Sequence, residues 1–152
     1  MRKLLCLAIV LAACSKAETP AADTAAALAP PAPAMLTAAE VAGKWNGMSM
    51  GETSDSVTLR WTTENIDDTS GKLTLEGAKE AIPFTRMFDG DSMVVTSSAP
   101  YANPADPKAP KMHFRSVGRL KDGKLVGTST NTLADKPDSV VNRGRWEATR
   151  AP

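Results

Sequence analysis

The sequence predicts an all-β domain over residues 36–150, folded as an eight-stranded antiparallel up-and-down barrel. Three observations support this fold class. Short runs of strand-forming residues recur between turn signals at a spacing typical of a β-sandwich or barrel. Most connections between these runs are short, so strands that are neighbours in sequence should pair. Closing such a sheet into a ring also removes the exposed edges that an open sheet would leave.

The pattern places the eight strands at 44–51, 56–64, 71–76, 80–88, 92–98, 112–120, 124–132 and 142–150. The segments "DGD" at 89–91 and "KDGK" at 121–124 are hairpin signals, because glycine takes positive φ at little cost. Ahead of the first strand, Glu40 follows Thr37 at the spacing of a capping box. We therefore expect one short helical turn that plugs an end of the barrel.

The amino terminus, "MRKLLCLAIVLAAC", has the features of a secretory signal. Arg2 and Lys3 precede an apolar run at 4–13, which is shorter than the roughly 20 residues that span a hydrocarbon core. The run ends in "LAAC", which resembles the lipobox of bacterial lipoproteins. That resemblance implies a signal peptide at 1–13 and an acylated Cys14 as the first mature residue. The alternative is an ordinary signal peptide with a cysteine at this place by chance.

The segment that follows Cys14 is rich in alanine and proline. Residues 15–35 contain nine Ala and four Pro, too little large apolar surface to form a core. We interpret 14–35 as the lipidated cysteine and a tether; the alternative is a short helix in "AADTAAALA" packed on the domain. In the lipoprotein family, Ser15 in place of Asp implies the outer membrane. The expected partner is membrane lipid, held through Cys14, with the domain facing the periplasm.

A second resemblance rests on the start and end of the domain. The Gly-x-Trp element from Gly43 to Trp45, preceded by a helical turn and followed by eight strands with a basic end, resembles the calycin superfamily. That superfamily includes lipocalins, fatty-acid-binding proteins and avidins, and the resemblance implies a Trp at the closed end beneath an Arg of the last strand. Since strand 8 should pair with strand 1, Arg150 is expected to stack on Trp45. Arg143 or Arg145 takes this place if the register slips.

Strand alternation predicts which side chains face the barrel interior. The apolar set is Val57, Leu59, Trp61, Leu73, Leu75, Ile82, Phe84, Phe88, Met93, Val95, Met112, Phe114, Leu120, Leu125 and Trp146. The polar positions on the same faces are Ser49, Arg86, Ser97, Ser116 and Ser129. We expect a small, apolar or anionic ligand to contact five of these, namely Trp61, Phe84, Arg86, Phe114 and Trp146.

Arg86 has several interpretations, because a buried cation without a partner is very costly. One interpretation is that Arg86 binds a ligand carboxylate inside the barrel, and another is that it pairs with an internal acid. Alternatively, it lies at a barrel mouth or is turned outward by a bulge.

Composition argues against several function classes. The chain has 18 Lys and Arg against 17 Asp and Glu, so no strong field favours nucleic acid. The one histidine, His113, is expected to face outward, and Cys14 is the only cysteine beyond the signal. We therefore expect no metal site, no cofactor and no enzymatic activity.

The longest loop gives a second functional hypothesis. Residues 99–111 contain four prolines and could form a lid, a partner-binding edge or a solvated connector, with Tyr101 as an exposed aromatic. The first hypothesis is a barrel that binds a small ligand. The second is a filled barrel that meets an envelope protein through its outer surface or this loop. Fold class alone does not separate them.

Overall fold

The computed structural model describes residues 35–152 and confirms the predicted fold class. The described chain is all-β apart from one helical turn, and its strands form a closed antiparallel barrel in up-and-down order. The elements are α1 (Ala38–Val41), β1 (Lys44–Gly51), β2 (Val57–Asn65), β3 (Ser70–Leu75), β4 (Ile82–Asp89), β5 (Ser92–Ser97), β6 (Met112–Lys121), β7 (Lys124–Leu133) and β8 (Lys136–Arg150). The predicted signal peptide at 1–13, Cys14 and the tether up to residue 34 lie outside the described residues.

The ring closes where the first strand meets the last. β1 pairs with β8 from Trp45 opposite Arg150 to Gly51 opposite Gly144. Every other neighbour in the ring is also a neighbour in sequence, because each hairpin places consecutive strands side by side.

The last strand begins earlier than predicted, at Lys136 rather than at 142. Leu133 pairs with Lys136, so only two residues separate β7 from β8 and form a tight hairpin. The register shifts on both sides of Thr132. These irregularities accommodate Pro137, which cannot donate a ladder hydrogen bond.

The helical turn covers one end of the barrel, which we call the closed end. The Glu40 carboxylate accepts hydrogen bonds from the Thr37 hydroxyl at 2.8 Å and from its backbone N–H at 2.9 Å. Val41 is fully buried, and its carbonyl accepts a hydrogen bond from Nε1 of Trp45 at 3.0 Å. The backbone N–H of Leu36 donates to the carbonyl of Gly90 in the β4–β5 turn. No helix within residues 35–152 has the length and apolar character needed to cross a membrane.

The barrel interior contains two buried clusters. One is centred on Trp45 and Trp146 and the other on Phe84 and Phe114. Val57, which alternation places inside, is instead 42% exposed. It lies at the start of β2, where it pairs with Met50 beyond a register shift in the β1–β2 ladder, and the pairing with β3 begins only at Trp61, so its β3 side has no strand neighbour.

Candidate functional site

Arg150 and Trp45 meet at the closed end, in the contact expected from the pairing of the last and first strands. The guanidinium carbon lies 4.7 Å from the indole centroid, and Trp45 is only 1% exposed. Arg150 also donates to the main-chain carbonyls of Glu40 and Ala42. Gly43 connects α1 to β1 with a φ of 88°, a conformation that a side chain would disfavour. The three residues named for barrel closure therefore lie together.

A cavity of about 110 Å³ lies inside the barrel. Trp61 and Trp146 meet edge to face in its wall, with ring centroids 5.9 Å apart. Their Nε1–H groups donate to Oγ of Ser49 and to the carbonyl of Thr128, so both indoles present apolar surface without an unpaired donor. The structure brings all four aromatic ligand-binding candidates to this cavity: Trp61, Phe84, Phe114 and Trp146.

Inward-facing glycines make room for these rings. Gly47 is paired with Trp61, and a Cβ at Gly47 would lie 2.3 Å from the indole. A Cβ would similarly lie 2.3 Å from the Phe84 ring at Gly71, and 2.4 and 2.6 Å from the Trp146 ring at Gly118 and Gly127. The rings therefore lie against the barrel wall above a neighbouring strand, and this leaves the central space open. These glycines were not predicted as part of the site, although their inward parity could have indicated them.

Arg86 is 4% exposed and lines the cavity, yet main-chain groups already hold it. Its Nε donates to the carbonyl of Asp68 at 3.2 Å, and its Nη2 donates to that of Asp67 at 2.7 Å. The guanidinium also lies over the ring of Phe88, at 5.2 Å from the centroid. Burial lowers the pKa of Arg86, and the nearby charges of Asp68 and Asp67 partly offset this effect. Its contact with a ligand remains a prediction.

The β2–β3 turn that holds Arg86 is organised by the carboxylate of Asp67. Its oxygens accept hydrogen bonds from the hydroxyls and backbone N–H groups of Thr69 and Ser70, at 2.7 to 3.0 Å. These bonds, led by the Ser70 hydroxyl, lower the pKa of Asp67 to about 2. The fixed turn lies at the closed end of the barrel, and two of its carbonyls accept hydrogen bonds from the Arg86 guanidinium.

Tyr101 covers the opposite end of the barrel, which we call the open end. It was expected to be exposed, but it is partly buried because its backbone pairs with Met112 at the start of β6. Its hydroxyl donates to Oδ1 of Asn131 at 2.9 Å, and its ring meets Phe114 edge to face at 6.1 Å. Burial raises the pKa of Tyr101 to about 12. The first part of loop 99–111 therefore closes over the cavity.

His113 is half-buried and forms a polar contact with the end of β5, but it is not among the residues that line the cavity. Its Nδ1 lies 3.0 Å from Oγ of Ser97, and the same hydroxyl accepts a hydrogen bond from the backbone N–H of Phe114. This arrangement links the end of β5 to the start of β6. In the part of the chain that the structure describes, no group of His, Cys, Asp and Glu is arranged to hold a metal ion.

The cavity presents mostly hydrocarbon with a few neutral polar groups and the cation of Arg86, a composition typical of small-molecule sites. No protein-family model, curated protein or solved structure matches this chain. What the barrel can bind is therefore inferred from its lining. The neutral polar lining residues include Ser49, Thr63, Asn65, Ser116, Ser129 and Asn131.

Proposed function

We propose that this protein is a lipid-anchored envelope protein whose barrel binds a small, partly apolar molecule. The cavity of about 110 Å³ is the observation that carries the proposal. Six aromatic side chains line it, α1 covers one end and Tyr101 covers the other. A binding barrel needs space that its own side chains leave unoccupied, and the glycines beside the largest rings let these rings lie against the wall instead of across the centre.

The size of the cavity limits the ligand. Drug-sized ligands occupy pockets of about 300 Å³ or more, whereas an engineered apolar cavity of about 150 Å³ binds benzene. A cavity of about 110 Å³ is smaller than both, so it limits the ligand to a compact molecule of at most roughly one ring. A longer molecule would have to displace Tyr101 and extend through the open end.

The membrane anchor rests on the sequence around Cys14, which lies outside the described residues. One buried acyl chain anchors a protein only marginally, so stable attachment requires the several chains that a bacterial lipoprotein carries. We propose attachment to the outer membrane with the barrel facing the periplasm. In cell fractionation, Cys14→Ser should move the protein from the membrane to the soluble fraction. Unchanged membrane attachment of this variant would refute the anchor.

Native mass spectrometry of the full chain purified from cells tests the binding function. We expect a retained small molecule, and its mass would identify the chemical class. The matched variant is Gly118→Ala, in which the new Cβ would lie 2.4 Å from Trp146 and push that ring into the cavity. Retention that persists unchanged in this variant would place the ligand outside the barrel.

A second candidate is an envelope structural or protein-interaction role, which the small cavity volume favours. In that case the outer surface or loop 99–111 meets a protein partner. No retained molecule in the wild-type protein, together with loss of envelope cross-links after shortening of 102–110, would support this role over ligand binding. The shortening leaves Tyr101 in place, so the cover of the open end is preserved.

A further inference from the structure

The two sides of the cavity differ in polarity. The lining contributed by β2 to β5 is mainly hydrocarbon and includes Leu59, Leu73, Leu75, Ile82, Phe84 and Val95. The polar lining residues of these strands, Thr63, Asn65 and Arg86, lie toward the closed end. On β6 and β7 the lining includes Ser116, Ser129 and Asn131, which we call the polar strip. Ser116 and Ser129 are directly opposite each other in the β6–β7 ladder, and Asn131 follows on the same face of β7. The cavity therefore has an apolar side and a hydrogen-bonding side.

Two hydroxyls of the polar strip are open to the cavity. The amide of Asn131 is engaged, since its Oδ1 accepts from Tyr101 and its Nδ2 donates to Oδ1 of Asn142 at 2.6 Å. Within residues 35–152, by contrast, the hydroxyls of Ser116 and Ser129 have no hydrogen-bond partner. Neither Oγ atom is among the fully buried atoms without a partner, so both oxygens keep accessible surface. Because both residues line the cavity, their hydroxyls face its open space.

The charge distribution disfavours an anion at this strip. Among the described residues that line the cavity, Arg86 is the one charged group. Its guanidinium donates to the carbonyls of Asp67 and Asp68 in the β2–β3 turn. A carboxylate that entered the cavity would lose its water shell and would have to compete with these carbonyls for the cation. A neutral polar group has less hydration to lose, and a serine hydroxyl can both donate to it and accept from it.

We propose that the cavity selects an uncharged, one-ring molecule with a hydroxyl or amide group on one edge. This inference rests on the ligand-binding function proposed above and names its ligand class. The ring lies against the hydrocarbon of β2 to β5, and the polar edge forms hydrogen bonds with Ser116 and Ser129. The two serines determine specificity, while the hydrocarbon side supplies affinity that does not depend on the polar group.

Three ring compounds separate these contributions: phenol, toluene as its methyl analogue, and benzoate as the anion. The full chain carrying Cys14→Ser is titrated with each, because the acyl chains are then absent as competing occupants. The indole N–H resonances in NMR spectra report the binding, since Trp61 and Trp146 line the cavity. The test variant is Ser116→Ala with Ser129→Ala. The control is Thr128→Ala, an exposed position beside Ser129 on the outer face of β7.

We expect the double serine variant to weaken phenol binding by about tenfold, which corresponds to the loss of two modest hydrogen bonds. Toluene binding should stay within about twofold, as should phenol binding to the Thr128→Ala control. Benzoate should bind more weakly than phenol to the wild-type barrel. If benzoate binds most tightly, or if the serine variant leaves phenol binding unchanged while toluene binds, the selectivity inference is overturned and the binding function stands. If none of the three shifts the Trp61 or Trp146 resonances, both proposals are overturned.

Discussion

The guanidinium of Arg150 lies over the indole of Trp45, with 4.7 Å between its central carbon and the ring centroid. These residues belong to the last and first strands, so their contact joins the two sides of the seam at which the barrel closes. The same guanidinium donates to the carbonyls of Glu40 and Ala42, and Nε1 of Trp45 donates to Val41. One stacked pair therefore holds the seam and the helical turn together.

Arg150→Ala should lower the free energy of unfolding by about 1–2 kcal/mol, because it removes a cation–π contact and two charge-assisted hydrogen bonds at a partly solvated site. Arg150→Lys should recover only part of this, since an ammonium cannot stack as a planar group and donate to both carbonyls. Urea unfolding measures both changes. Arg143→Ala, at an exposed position of the same strand, is the control and should change stability by less than about 0.5 kcal/mol. Equal losses at the two arginines would show that the seam contact contributes nothing specific.

The fold could be predicted because its signals are local. Alternation identifies the inward faces, and turn residues such as those at 89–91 and 121–124 separate the strands. Ring closure then follows from the number of strands and their antiparallel order, which also brings Arg150 to Trp45. The last strand begins before the predicted residue 142 because a register irregularity can accommodate a proline, here Pro137, inside a long strand.

The surroundings of the site were harder to predict because they depend on backbone groups and loop paths. The carbonyls that hold Arg86 belong to a turn, and a carbonyl leaves no mark in the residue types. The position of Tyr101 depends on how loop 99–111 crosses the open end. The cavity itself depends on ring orientation, which glycines such as Gly47 permit. Side-chain alternation gives the lining residues but not the space between them.

Gly47→Ala should displace the Trp61 indole, because the new Cβ would lie 2.3 Å from the ring. Moving the ring would also break the hydrogen bond from its Nε1 to Ser49. We expect a loss of about 1–3 kcal/mol in the free energy of unfolding, as in other overpacked cores. Thermal unfolding and the near-ultraviolet circular dichroism of the tryptophans measure the effect.

Gly51→Ala is the matched control, because its Cβ would approach nothing closer than the Cβ of Ser54 at 3.4 Å. A second substitution, Trp61→Phe, should restore part of the stability of Gly47→Ala by removing the larger ring. If Gly47→Ala is as stable as Gly51→Ala, the Trp61 ring does not lie against β1.

Asp67 should make the domain sensitive to acid. Its pKa is lowered in the folded protein from 3.8 to about 2 by hydrogen bonds from Ser70 and Thr69. Because the folded-state value is the lower one, this carboxylate stabilises the fold above about pH 4, and the contribution is lost as pH falls through about 2. Asp67→Asn should therefore flatten the decline in the free energy of unfolding between these pH values. Denaturant unfolding at several pH values measures it, with Asp138→Asn, at an exposed position in β8, as the control. Identical acid profiles of wild type and Asp67→Asn would contradict the role of this turn.

Tyr101 should titrate as a partly buried phenol. It is the only tyrosine in the chain, so ultraviolet absorbance follows it directly, and burial raises its pKa to about 12. Since the folded-state value is the higher one, its contribution to stability is complete below about pH 10 and is lost as pH rises through about 12. We expect the absorbance change near pH 12 in the folded protein and near pH 10 in denaturant, with circular dichroism confirming that the barrel persists.

Tyr101→Phe should keep the ring contact with Phe114 but lose the hydrogen bond to Asn131, at a cost of about 0.5–1.5 kcal/mol in the free energy of unfolding. Asn131→Ala removes this acceptor and also the hydrogen bond from Nδ2 to Asn142, so it should lower the stability of wild type by more than it lowers that of Tyr101→Phe. Additive losses from the two substitutions would show that the hydroxyl and the amide do not interact. If the phenol of Tyr101 instead titrates near pH 10 in the folded protein, Tyr101 is in solvent and the open end of the cavity is uncovered.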